Sequence, residues 1–516
     1  MTEIEKLTAG LPDTQSADIV AGNIEALRAL FPEAFSEGKI DFEVLKQCLG
    51  GAVDDREEKY GLNWHGKRRA RQIALTPSTG TLLPCPEDSV DWDTTQNLMI
   101  EGDNLEVLKL LQKSYAGKVK LIYIDPPYNT GGDFVYPDDF RDSIGNYLSL
   151  TGQIDSEGRK STSNSESSGR FHTDWLSMLY PRLKLARALL SEDGAIFVSI
   201  DDNELQNLRA ICDEIFGAEN FIANIIWQKV FSPKNSAQYF SEDHDYIVVY
   251  AKNADVWRPR LLPRTAEMEA RYTNRDNDER GPWTSGDLSA RNYYAEGTYP
   301  VTSPSGRVID GPPPGRYWAI SRANFEKLNA ENRIWWGESG DNMPRLKRFL
   351  SDVQDGKTPQ TIWFHQDVGN TQESKKELLE LLPFSKSEDV FETPKPTRLI
   401  SRILALGCDP AEENLVLDFF AGSGTTGQAV WQQNQADGVD RRFILVQLPQ
   451  MLGRPAILKD GVELSKISDM ACERLRRADK KLNRDGSIVG KNAGFRVYKL
   501  ASSNIRPWEP AGSDLG

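Results

Sequence analysis

Residues 120–134 read KLIYIDPPYNTGGDF, an apolar run that ends in a carboxylate, two prolines and an aromatic. Pro126 and Pro127 have a fixed φ and no N–H, so the carbonyls around them are held in one direction as acceptors. Asp125 adds a carboxylate and Tyr128 a flat face. Fixed acceptors beside an aromatic platform suit an exocyclic amino group on a flat heterocycle. An aryl amine is a poor nucleophile because its lone pair is delocalised into the ring. Accepting hydrogen bonds from both of its N–H groups pushes the nitrogen towards tetrahedral geometry and localises the pair for attack. Such chemistry requires neither a metal nor a covalent enzyme intermediate.

A second constellation is DFFAGSGTTG, Asp418 to Gly427. Here an apolar run ends in an acid, glycines make a tight turn that lets a ligand approach the backbone, and a helix begins with its amides available. The lysine of a phosphate-binding P-loop is missing, which argues against ATP. Asp418 at the strand end suits a cationic amino group, such as that of the methionine part of S-adenosylmethionine, better than a dinucleotide pyrophosphate.

Both constellations need a sheet to hold them. Residues 96–134 give a strand (NLMIEG), a helix from Asn104 to Tyr115 and a second strand (VKLIYI). A helix over about 173–190, the strand GAIFVSI ending in Asp201 and Asp202, the helix LQNLRAICDEIF and the strand YIVVY continue the rhythm. From about 253 to 385 it fails, in a segment rich in Arg, Trp, Tyr, Gly and Pro. It returns with RLISRILAL, ENLVLDFF and RRFILVQL. The alternation predicts an α/β doubly wound sheet, with ligands outside the carboxyl ends of its strands. Residues 151–170 are too poor in apolar groups to offset the entropy of ordering and read as a mobile loop. Domain bounds follow: a helical lead-in at 1–60, a catalytic half at 61–252, an inserted domain at 253–385, a second half at 386–450 and a C-terminal extension at 451–516.

The bulk properties narrow the class. No export signal and no stretch of ~18 apolar residues is visible, and five scattered cysteines fit a reducing, cytoplasmic setting without zinc or disulfide spacing. A net charge of −14 argues against coating nucleic acid by bulk charge, so any DNA contact must use patches. Candidate patches are the basic knot Lys67, Arg68, Arg69 and Arg71 beside Trp64, and Arg345, Lys347 and Arg348 near Trp335 and Trp336. RLRRADKKLNR (474–484) reads as a solvated helix face. Cys85 precedes the first predicted strand and reads as structural. The four histidines, at 65, 172, 244 and 365, share no metal-ligand spacing.

D-P-P-Y followed much later by F-x-G-x-G (Phe420, Gly422, Gly424) resembles the amino-methyltransferases of DNA in their permuted β-class order, catalytic half first. GLNWHGKRRARQIAL, NLMIEGDNLEVLKLLQKSY, WLSMLYPRLKLARALL, FVSIDDNE, RIWWGESGDNMPRLKRFL, TIWFHQDVGNTQESKKEL and TPKPTRLISRIL extend the likeness to the modification (Mod) subunits of type III restriction-modification systems. The resemblance implies a Rossmann-like S-adenosylmethionine-dependent methyltransferase with an inserted target-recognition domain, acting on N6 of an adenine flipped out of duplex DNA. It implies that Asp125, Pro126, Pro127 and Tyr128 are catalytic. It places the cofactor against Asp103 and Asn104, against Lys395, Pro396 and Thr397, and against Asp418, Phe420, Gly422, Gly424 and Thr425. It also suggests a homodimer and a separate Res helicase-nuclease partner. Where nucleotide-binding folds often place an acid for the ribose, this chain has Gln447, which leaves ribose recognition to Gln447, Asp440 or a neighbouring loop. D-P-P-Y alone does not separate adenine from the N4 amine of cytosine. Two other readings are a DNA-specificity subunit with vestigial catalysis and an unrelated nucleotide-dependent oxidoreductase.

Overall fold

The computed structural model describes residues 16–36, 39–49, 61–130, 171–233, 235–391, 393–412, 414–482 and 493–502. The expected mobile loop at 151–170 lies outside them. The described chain divides into two compact units, one of 1–260 with 360–516 and one of 261–359.

The first unit is built on a ten-stranded mixed sheet. In chain order its strands are β1 (Gly80–Val90), β2 (Leu98–Glu101), β3 (Val119–Ile124), β4 (Leu190–Ile200), β5 (Phe221–Gln228), β6 (His244–Ala251), β7 (Ile362–Trp363), β8 (Asn414–Asp418), β9 (Arg441–Gln447) and β10 (Phe495–Ser502). Their spatial order is β7-β5-β6-β4-β3-β8-β9-β2-β10-β1. The central strands β4, β3, β8, β9, β2 and β10 run parallel, whereas β6 and β1 are antiparallel to their neighbours.

β3 and β8 are adjacent, with Leu121 opposite Val416 and Ile122 opposite Leu417. Two segments almost 300 positions apart thus end side by side at one edge. This is the α/β fold expected, with the catalytic half first in the chain.

The helices facing the sheet are α1 (Lys67–Leu75), α2 (Asn104–Tyr115), α3 (Phe171–Leu189), α4 (Leu205–Phe216), α5 (Thr371–Leu381), α6 (Thr397–Gly407), α7 (Thr425–Asp437) and α8 (Ile467–Leu482). Leu105, Leu108, Leu179, Leu183, Leu208 and Ile211 join Ile122 and Ile196 in one core. Leu121 points to the opposite face, where a Cβ on Gly407 of α6 would come within 2.5 Å of its side chain. β3 is buried along its whole length, as a strand covered on both faces must be.

Several expectations change. Cys85 lies within the edge strand β1, paired with Val497, and not ahead of the sheet. Pro84 and Pro86 are tolerated there because an edge strand can spare N–H groups. Within the expected extension 451–516, β10 belongs to the main sheet, where it sits between β2 and β1. The inserted unit is narrower than 253–385, because β7 pairs in parallel with β5 and α5 packs on α8. That unit has its own three-stranded antiparallel sheet of Trp283–Asp287, Arg345–Phe349 and Ile334–Trp335, and a core that includes Trp318, Phe325 and Trp336. Lys347 is buried there and paired with Asp276 and Asp278, so Lys347 and Trp336 stabilise the unit from within. Arg345 and Arg348 stay exposed.

Candidate active site

β3 delivers Asp125 to the carboxyl edge, and the chain then turns sharply. Trp175 of α3 donates from Nε1 to the Pro127 carbonyl at 2.7 Å, which leaves the Pro126 carbonyl as the candidate acceptor. Asn129 takes φ +61°, a conformation asparagine tolerates, and donates to buried Glu204 at 2.5 Å. Glu204 also accepts from Asn207 and pairs with His172. Trp175, Asn129 and Glu204 went unrecognised in the sequence, although Asn129 directly follows Tyr128. They make the Asp-Pro-Pro-Tyr corner rigid.

The corner opens into a cavity of about 660 Å³. Its wall holds Tyr123, Asp125, Pro126, Pro127 and Tyr128 from one motif, and Asp418, Phe420, Gly422, Ser423 and Thr425 from the other. Lys395 lies between them: its Nζ is 2.5 Å from Asp125 Oδ2 and 5.1 Å from the centre of the Tyr128 ring. Asp125 Oδ1 is buried and accepts no hydrogen bond among the described residues. Burial pushes the Asp125 carboxyl up, and the Lys395 ammonium opposes that shift. A carboxylate that lines a cavity and keeps one oxygen without a protein donor among the described residues is what an incoming amine would use.

The opposite wall was not read from the sequence. Asp245, at the amino end of β6, reaches this edge because β6 is antiparallel. Its carboxylate pairs with Lys229 at 2.6 Å and lies 3.5 Å from the Tyr128 hydroxyl, which fixes that ring. Asp201, at the end of β4, also lines the cavity, and burial pushes its carboxyl to about 6.

The glycine loop is braced from below. Asp418 accepts from the Phe420 N–H at 3.0 Å and the Thr426 hydroxyl at 2.5 Å. Burial nevertheless raises its carboxyl to about 7. Gly422 has φ +53° and Gly424 φ +80°, the left-handed region that glycine adopts without strain. The Gly422 N–H donates to Gln447 Oε1 at 2.7 Å, so Gln447 shapes the loop while it lines the cavity. Asp440 precedes β9 and lies at the amino edge, away from the cavity.

Asp103 and Asn104 are not among the lining residues. Asp103 caps α2, accepting from the Glu106 N–H, and pairs with Arg182. Asn104 donates to the Phe419 carbonyl at 2.7 Å and so fixes the glycine loop from the side. Pro396 and Thr397 likewise lie behind the wall, which Thr393, Pro394 and Lys395 form. The Thr397 hydroxyl and N–H both donate to Glu377.

Arg474 corrects the reading of its segment as solvated. It is fully buried and donates to Ser423 Oγ at 2.9 Å, Thr425 Oγ1 at 2.7 Å and Gln428 Oε1 at 2.8 Å. Burial lowers its guanidinium to about 10. Arg474→Met should weaken S-adenosylmethionine binding about tenfold, equivalent to ~1.4 kcal/mol, measured by calorimetry with circular dichroism as the control for folding. Unchanged affinity would limit Arg474 to packing. In the basic knot, Lys67 and Arg71 pair with Glu214, and Arg68 and Arg69 are exposed.

A family profile described as DNA methylase matches residues 119–448. The chain is 35% identical over 478 residues to the Mod subunit of the type III restriction-modification enzyme StyLTI of Salmonella typhimurium, covering 91% of this chain and 71% of that protein. The chain belongs to the type III restriction-modification Mod subunits. The EcoP15I Mod subunit of Escherichia coli is 33% identical over 522 residues, covering 92% of this chain and 77% of that one. The type II methyltransferase M.KpnI of Klebsiella pneumoniae is 30% identical over 402 residues, covering 74% and 88%. This Mod-family protein is therefore an S-adenosylmethionine-dependent DNA methyltransferase of a restriction-modification system.

The cavity fits that cofactor. Among the described residues, Asp125, Asp201, Glu242, Asp245 and Asp418 line it against Lys229 and Lys395, a charge balance that favours a cationic ligand over an anionic nucleotide. When bound, S-adenosylmethionine supplies an electrophilic methyl group. The Mod chain's own part is to orient and polarise the acceptor. Asp125 Oδ1 and the Pro126 carbonyl can accept from an exocyclic amine, the Tyr128 ring can carry the heterocycle, and Lys395 favours the ionised form of Asp125.

Proposed function

We propose that this chain methylates N6 of an adenine flipped out of duplex DNA, as the modification component of a type III-like system. The observation that carries this reading is the near-full-length likeness to type III Mod subunits, together with an amine-accepting corner whose Asp125 Oδ1 lacks a protein donor. In this proposal the unit at 261–359 recognises the target through exposed side chains such as Arg345 and Arg348. The functional form is a homodimer that works with a separate Res helicase-nuclease chain. The five cysteines, all unpaired, suit a cytoplasmic setting. N4 of cytosine is the alternative substrate, because the same acceptors serve either amine.

Expression in a host lacking DNA methyltransferases, followed by sequencing that reads modified bases, tests the proposal. N6-methyladenine confined to one short recurring sequence is expected. N4-methylcytosine at such a site would overturn the choice of base, and unmodified DNA would overturn the enzymatic reading.

A further inference from the structure

The connection from β5 to β6, residues 229–243, carries a feature that methyl transfer does not use. Tyr239 and Phe240 are 85% and 91% exposed, the most exposed large apolar side chains among the described residues. They project from a loop whose base is held firmly. The Val230 N–H donates to the Asp243 carbonyl, and the Thr371 N–H and hydroxyl both donate to the Lys229 carbonyl. Phe231 stacks on His365 with ring centres 5.4 Å apart. The two ends of the loop belong to the cavity wall, through Lys229 and Val230 on one side and Glu242 on the other. An anchored loop that carries two solvated aromatic rings leaves apolar area to be covered, and its continuity with the cavity says where.

A base that enters this cavity leaves a gap in the duplex it came from. Flat apolar side chains on a loop whose two ends form part of the cavity wall are suited to fill such a gap, because they replace the stacking that the departing base gives up. We propose that Tyr239 and Phe240 insert into the duplex at the target step and hold the strand open while the base occupies the Asp125 cavity. The partner is thus DNA at the site of flipping, and the inference rests on the base-flipping reading given under Proposed function. Lys229 at the root of the same loop is paired with Asp245, and the exposed rings of Tyr239 and Phe240 are what would make the contact.

The test compares wild type with the Tyr239→Ala, Phe240→Ala double variant on two duplexes carrying the modified sequence found by sequencing. One has the target base fully paired and the other has it opposite an abasic site. On the paired duplex the double variant should lose roughly thirtyfold in kcat/KM. On the abasic duplex, where the target base has no pairing partner to give up and flipping costs less, the loss should shrink to about threefold or less. Calorimetric affinity for S-adenosylmethionine should not change. Equal losses on both duplexes would overturn the wedge and make the rings a general DNA or subunit contact. No loss on the paired duplex would overturn it too. Failure of the wild type to methylate either duplex would contradict the methylation reading itself, an outcome distinct from both.

Discussion

Asp125→Ala should lower kcat by about 10³-fold or more, as loss of a preorganised acceptor in a water-poor site does, while S-adenosylmethionine still binds. Asp125 stands where β3 ends, beside the rigid prolines, and lines the cavity, with a buried Oδ1 that accepts no hydrogen bond among the described residues. The alanine variant keeps the Pro126 carbonyl and the Tyr128 ring but has one acceptor instead of two. The amine can then lie in place without having its lone pair localised. Asp125→Asn retains an acceptor oxygen but loses the charge that Lys395 meets, so it should fall between alanine and wild type. Single-turnover transfer of labelled methyl measures the effect, and calorimetry confirms cofactor binding. Rates for Asp125→Ala within a few-fold of wild type would remove Asp125 from the mechanism.

Lys395→Met should move the acid limb of the pH–rate profile to higher pH. Asp125 accepts a hydrogen bond best as a carboxylate. Burial raises its pKa, Lys395 lowers it through charge and hydrogen bond, the Tyr128 hydroxyl also lowers it, and Asp245 raises it. Asp418, reaching the same edge on β8, and Tyr123 of β3 are further titratable groups that interact with it. Without the ammonium the pKa rises further, so the fraction of ionised Asp125 falls at a pH where wild type is fully active. Activity at pH 6 relative to pH 8.5 should drop about tenfold below the wild-type ratio, and Lys395→Arg should restore most of it. An unshifted profile with weakened cofactor binding would instead make Lys395 only part of the cofactor wall.

Local periodicity made much of the fold legible. Asn104–Tyr115, Val119–Ile124 and Leu205–Phe216 fall where their apolar spacing puts them, because each buries a face that its own pattern defines. What periodicity cannot show is which strand lies beside which. Asp245 escaped notice because its role depends on β6 running antiparallel, and β10 because strand order joins it to a partner almost 400 positions away. Arg474 is instructive in a different way. Ala471, Arg474, Leu475 and Ala478 share one buried helical face, at spacings of three and four. The basic residues around them dominated the reading, although the apolar spacing that buries Arg474 was there to be seen. At the site, the Asp-Pro-Pro-Tyr corner and the glycine loop were legible as cavity walls because their residues are contiguous. The braces that fix them, Trp175, Glu204, Gln447 and Arg474, are distant in the chain and act through side-chain hydrogen bonds that no local spacing reveals.

The central claim is that the cavity joining β3 and β8 delivers a methyl group to an exocyclic amine of DNA. Unmethylated DNA incubated with the protein and isotopically labelled S-adenosylmethionine, then digested to nucleosides and analysed by mass spectrometry, tests it most directly. The account predicts label in N6-methyldeoxyadenosine and none in 5-methyldeoxycytidine. Label on a ring carbon, or no label in DNA from protein that binds the cofactor, would contradict it.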